Sequence, residues 1–285
     1  MRTATRRFLL LAALLLPALP SPGFAQEGGG GAGGTPAPAP PTEEEKKKAA
    51  MEKKAAEVKQ FLEQYEETLA KMTDEDAIAG LGKMKAWYLD KEVPEESKKG
   101  ILKTFNAKVI RQRNREPYLE AAAKTLGEFA DADVVPILKQ LVDFAMGQKV
   151  PIPNVASAGL RALGKIASPK PADVKFLSDL LKGKDDFIAD AARALGDYDK
   201  APGAVRKEIF EDLLKISEGV YSGSEKNDTN MKRRWNIWGS DVVDAMKKLS
   251  KQNCANPIEF RKWFNSKDEG GGKNPKTWKD DKEGK

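Results

Sequence analysis

The sequence predicts an all-α fold: a right-handed alpha-alpha superhelix, or solenoid, of stacked helix pairs behind one long N-terminal helix. Three observations carry this. Apolar residues recur at helical spacing, with Pro, Gly, Asp or Asn ending each run after about 10 to 20 residues. No stretch alternates apolar and polar residues as a half-buried strand would. One alanine, leucine and glycine phrase returns at the length of a helix pair. With 285 residues, 40% apolar and 32% charged, the chain can build one or two compact domains or an elongated array.

The first segment reads as a targeting signal. Arg2, Arg6 and Arg7 precede the apolar run Phe8 to Leu16, and Gly23-Phe24-Ala25 offers small residues for cleavage after Ala25, the pattern of a secretory signal peptide over 1–25. The run is far shorter than the ~20 residues of a membrane-spanning helix. The expectation is export to the periplasm or the exterior, with no integral membrane segment after cleavage. General secretion fits better than the twin-arginine route, because Phe8-Leu9 follows Arg6-Arg7 directly. Cleavage removes three arginines and lowers the net charge from +6 to about +3. Residues 26–42 are rich in Gly and Pro and read as a linker.

From 43 to 72 the sequence predicts one helix. Met51, Ala55, Val58, Leu62, Tyr65, Leu69 and Met72 follow alternating steps of four and three, a heptad stripe. It suits a helix lying on the following array, and alternatively a coiled coil joining two copies. Helices follow over 74–90, 94–113, 116–130, 132–147, 152–167, 171–183, 186–198, 202–219, 231–252 and 257–265, and together 73–265 form the repeat domain. Residues 266–285 are polar and Gly-rich, a disordered tail in which Trp278 is the oddity.

The phrase is Ala121-Ala122-Ala123-Lys124-Thr125-Leu126-Gly127, then Ala158-Gly159-Leu160-Arg161-Ala162-Leu163-Gly164, then Ala189-Asp190-Ala191-Ala192-Arg193-Ala194-Leu195-Gly196. Each copy is followed by a second amphipathic helix, at Val134 to Phe144, Val174 to Leu181 and Val205 to Ile216, which reads as a pair. Glycine near a helix end costs on the order of 1 kcal/mol relative to alanine, so three in register call for a compensating close approach of the next helix.

These residues resemble the short, alanine-rich HEAT-like repeats, whose second helix carries an Ala-Ala-x-Ala-Leu-Gly phrase. Phe187 to Gly196 matches best, then Val155 to Gly164 and Tyr118 to Gly127. The resemblance covers 116–219, with degenerate pairs at 74–113 and 231–265. The ending, a Leu-rich helix at Ala245 to Leu249 and a Trp-rich one at Pro257 to Phe264, is similar to that of exported bacterial HEAT-like proteins. The arginine that the family often places after the first apolar residue is replaced by Leu119, Ala156 and Ile188, which implies that the polar ladder between layers is missing. The resemblance implies a non-catalytic scaffold for protein partners, with the alanine-rich helices lining a concave side. It makes Lys124, Arg161, Lys165 and Arg193 the first partner-binding candidates.

Histidine is absent and Cys254 is the sole cysteine. That excludes imidazole acid-base chemistry, Ser-His-Asp and Cys-His nucleophiles, and His- or Cys-paired zinc sites, along with the His-held iron of hydroxylases on this scaffold. A bilin-lyase activity known on related scaffolds does not follow from the fold. No spacing points to a cofactor, a metal or a converging pair of catalytic carboxylates; Asp131/Asp133, Asp185/Asp186 and Asp197/Asp199 read as loop residues and caps. Cys254 is a small core residue or an intermolecular partner.

Trp235 and Trp238 share a helix face and read as a lid on the last repeat, or as an aromatic platform for a partner. The basic runs Arg111 to Arg115 and Lys232 to Arg234 read as solvated helix ends. An anionic envelope polymer is the sharper alternative for them, and nucleic acid is not expected at this charge balance.

Overall fold

The computed structural model describes residues 42–166, 169–266 and Trp278, so the signal segment 1–25, the linker through residue 41 and the tail beyond Ser266, Trp278 excepted, lie outside the described residues. Among the described residues there are eleven α-helices and no strand. These are α1 (Glu43–Thr68), α2 (Asp74–Leu89), α3 (Glu95–Thr104), α4 (Glu116–Phe129), α5 (Val135–Gly147), α6 (Pro153–Gly164), α7 (Pro171–Leu180), α8 (Asp185–Gly196), α9 (Gly203–Glu225), α10 (Thr229–Ser250) and α11 (Pro257–Asn265). The chain is an all-α helical solenoid.

Local chemistry sets the starts. Thr42 accepts from the Glu45 backbone N–H while the Glu45 carboxylate accepts from that of Thr42, a reciprocal cap on α1. Thr73, Asp228 and Asn256 cap α2, α10 and α11 with their side chains. The expected helix 94–113 is interrupted: after Thr104 the chain takes a π-turn over Phe105–Val109 that buries both named ends. Helix α9 continues past Gly219 to Glu225, because Val220 is buried and Tyr221 meets Trp235 edge-on at 5.1 Å, a gain that outweighs one exposed helical glycine.

The helices form two rows. α2, α4, α6, α8 and α10 each pack on the next, whereas α3, α5 and α7 of the other row do not pack closely on one another. Backbones therefore approach most closely along the Ala/Gly row. The hairpins are α5–α6, α7–α8 and α9–α10. The phrase helix therefore closes its pair, as the resemblance implies, and does not open one with the helix that follows it. The connections after α4, α6 and α8 cross to the next unit.

The three phrase glycines mark the tightest contacts. A Cβ added at Gly127 would lie 2.7 Å from the Ala162 Cβ and 2.9 Å from its Cα; one at Gly164 would lie 2.8 Å from the Ala194 Cα; one at Gly196 would lie 2.9 Å from both Cα and Cβ of Ala245. Glycine on one helix thus meets alanine on the next, three times in register. Leu126, Leu163 and Leu195 fill the space behind each contact and are buried.

Helix α1 covers the first unit. Its stripe is buried from Val58 through Leu62, Tyr65 and Leu69, while Met51 and Ala55 stay half-exposed. The Tyr65 hydroxyl donates to the Ala77 carbonyl at 2.8 Å and lies 2.7 Å from the Tyr118 hydroxyl. Tyr65 has one proton, so Tyr118 donates to Tyr65. Arg115 joins α1 to α2: its guanidinium donates to the carbonyls of Leu69 and Thr73 at 3.0 and 2.8 Å and to Asp74 at 2.6 Å. At the far end Trp278 is buried against Phe210 and Trp263, with centroids 5.4 and 6.0 Å away, and its backbone passes over Gly203. This residue of the expected disordered tail is therefore part of the core, because an indole recovers more by burial than the rest of that polar segment could.

Two predictions follow from these contacts. Gly164→Ala must separate α6 from α8 and is expected to cost about 1–3 kcal/mol, whereas Gly82→Ala, where a Cβ meets nothing within 4 Å, should gain roughly 0.5–1 kcal/mol; urea denaturation of both variants measures the contrast. Burial pushes the Tyr65 hydroxyl up to about 12 from an ordinary 10.0 and raises Tyr118 further. A raised folded-state pKa keeps its stabilisation below pH ~10 and loses it as pH climbs through the folded value. Tyrosinate absorbance at 295 nm and loss of helical dichroism should therefore rise together above pH ~10, and the loss should move in Tyr118→Phe.

Candidate functional site

The exposed side of the Ala/Gly row carries the candidate site, and the glycine contacts define its register. Three residues before each phrase glycine stands a cation: Lys124 on α4, Arg161 on α6 and Arg193 on α8. Four residues before each receiving alanine stand Ala158 on α6, Asp190 on α8 and Asp241 on α10. Helical geometry brings each cation to the residue so placed on the following helix.

Two of these meetings are ion pairs. Arg161 Nε donates to Asp190 at 3.2 Å, and Arg193 Nε donates to Asp241 at 2.7 Å. Arg193 also reaches back within its own helix, from Nη1 to Asp190 at 3.0 Å, and Ser157 donates to the same carboxylate. The Asp190 side chain is 7% exposed while Arg161 and Arg193 are 61% and 45% exposed. A buried acid therefore fixes two outward-facing guanidinium groups, and Asp241 holds the Arg193 guanidinium above its ordinary value. This is a polar ladder between helices. It corrects the expectation drawn from Leu119, Ala156 and Ile188: the rungs are built from positions nearer the phrase glycine.

Between α4 and α6 the row opens into a cleft of about 320 Å³ lined by Glu120, Lys124, Asn154, Ser157, Arg161 and Lys165, with Ala158 and Ala162 as its floor. Lys124 is exposed and pairs with Glu120 at 2.6 Å within α4. Lys165 lays its stem over Gly127, and Lys85 pairs with the neighbouring Glu128 at 2.8 Å, lowering that carboxyl's pKa.

Of the six candidates, Lys124, Arg161 and Lys165 thus converge on one cleft, and Arg193 adjoins it through Asp190. Trp235 is half-buried against Tyr221 and against Trp238 at 5.8 Å. Trp238 is fully buried, and its indole N–H donates to Asp185 at 3.3 Å. Trp238 is a correction: an indole sealed between α8 and α10 offers a partner no surface, and it serves the lid instead. Three arginines of the basic runs are occupied as well. Arg115 is the α1–α2 clamp, Arg113 stacks over Phe144 at 5.0 Å, and Arg234 donates to Asp185 at 2.8 Å.

Sequence reasoning missed Asp190 and Asp241. The signal for Asp190 was present: it is an acid at the place where the other two copies have Ala121 and Ala158. Among the described residues no cluster of three or more acids or thiols is arranged to hold a metal, and no helix is long and apolar enough to cross a membrane.

A family model for HEAT repeats matches residues 107–196. It takes in the end of the π-turn, α4 to α8 and all three phrase glycines, so the class of this fold is a HEAT-like helical solenoid, a kind of array that generally mediates protein–protein interaction. No curated protein and no solved structure matches the chain.

The ladder yields a stability test. Asp190→Ala removes a buried acceptor shared by three donors and should cost about 1–3 kcal/mol, while Asp179→Ala, whose side chain is 49% exposed, should stay within ~0.5 kcal/mol; thermal unfolding of the two variants separates them.

Proposed function

We propose that the chain is an exported, non-catalytic scaffold that holds a protein partner against the exposed side of the Ala/Gly row. The observation that carries this is the ladder: Arg161 and Arg193 are outward-facing yet oriented by a nearly buried carboxylate, so little side-chain freedom is lost when they meet a partner. Surface arginines with no such backing lose more. Support for export comes from the N-terminal pattern of arginines, apolar run and small residues.

An anionic polymer at the basic runs is the weaker reading, because Arg115 and Arg234 there are engaged by Asp74 and Asp185.

The test is partner capture by crosslinking in native cells. Arg161→Glu with Arg193→Glu should cut capture at least about tenfold at unchanged helicity, while Lys175→Glu on α7 with Lys182→Glu in the turn after it should not. Equal capture by both double variants would remove the site from this face.

A further inference from the structure

The ladder has a gap, and its position coincides with the cleft. At α6–α8 and α8–α10 the residue four before the receiving alanine is an aspartate; at α4–α6 it is Ala158. Arg193 shows what a complete rung contains: its Nε goes forward to Asp241 and its Nη1 back to Asp190, three residues earlier on its own helix. Arg161 makes the forward contact, to Asp190, but three residues before it stands Ala158, and no acid of the described residues accepts from its terminal nitrogens. Lys124, which occupies the forward-reaching place on α4, finds no acid on α6 and turns to Glu120 of its own helix. Lys165 lines the same space, acts on Glu128 of α4 only through its field, and makes no salt bridge among the described residues.

We infer that this vacant rung is a carboxylate-binding site for an acidic peptide segment in extended conformation. The inference rests on the scaffold reading and names its ligand class. One carboxylate takes the place over Ala158 that Asp190 takes in the next unit, accepting from the Arg161 terminal nitrogens and from Lys124, which it shares with Glu120. A bidentate guanidinium contact suits a carboxylate because Arg161 is already held through Nε. A second carboxylate meets Lys165. Arg161 and Lys165 are one helical turn apart, about 6 Å, and alternate side chains of an extended peptide are about 7 Å apart on one side. The recognised pattern is therefore acid, any residue, acid.

The probe is a fluorescein-labelled peptide of alternating Glu and Ser, titrated by anisotropy into the full chain at 0.15 M salt, against its Gln counterpart. The Glu peptide should bind at least about tenfold more tightly than the Gln peptide. Ala158→Asp, which supplies the missing acid from within, should abolish the difference while helicity and thermal stability stay at or above wild type; Arg161→Gln with Lys165→Gln should also abolish it and covers the case in which Ala158→Asp fails to fold. Equal binding of the two peptides overturns the inference. So does wild-type affinity in folded Ala158→Asp, or polyphosphate binding that tracks the peptide in every variant. Should the probe fail while Arg161→Glu with Arg193→Glu still loses partner capture, the acidic ligand is wrong and the binding face stands; should capture also persist, both readings fall.

Discussion

The contact between a phrase glycine and the alanine of the next helix is the constraint from which the rest of the solenoid is built. At Gly127, Gly164 and Gly196 the missing side chain lets backbone meet backbone, so each contact fixes both distance and register along the helix axis. Leu126, Leu163 and Leu195 can then fill the space behind it. The ladder on the solvent side is a consequence of the same register. Arg161 meets Asp190 and Arg193 meets Asp241 only because the glycine contacts set which turns face each other. A slip of one turn would lose the apolar fit and the ion pairs together, which is how a repeat of small residues specifies one stacking arrangement.

The sequence made the helices and the stacking glycines legible, because helical periodicity and a recurrent phrase are local signals. The pairing of helices was not local. Whether α6 closes a hairpin with α5 or opens one with α7 depends on how side chains interlock across the turn, and the order of elements in the chain is the same either way. The basic half of the site was legible too, since Lys124, Arg161 and Arg193 recur at one place in the phrase. Its acidic half was hidden: Asp241 lies in α10, where the phrase has no leucine and glycine, and only the contact of Gly196 with Ala245 shows which residues of α10 are equivalent. Trp238 was hard to place for a related reason, since an aromatic residue is equally at home in a lid and on a platform.

The two ends of the array solve the problem of a stack that could otherwise continue. At the first, α1 lays Val58, Leu62 and Tyr65 across the opening units, and the hydroxyl pair of Tyr65 and Tyr118 satisfies the polar atoms this burial encloses. At the last, α10 turns Lys232, Asn236 and Ser240 outward, all exposed, while α11 and Trp278 enclose Phe210 on the other row. A polar flank and an aromatic cover are different answers to the same exposure of a repeat's core.

The unequal spacing of the rows has a mechanical outcome. A beam bends about the layer that neither stretches nor shortens, and here that layer lies near α4, α6 and α8, whose backbones already touch. Changes of curvature are therefore absorbed on the other row, where α5 and α7 meet through the Lys139 side chain and not through closely packed backbones. Groups mounted on the stiff layer keep their mutual distances as the body flexes, much as marks on the spine of a book hold their spacing while the pages fan.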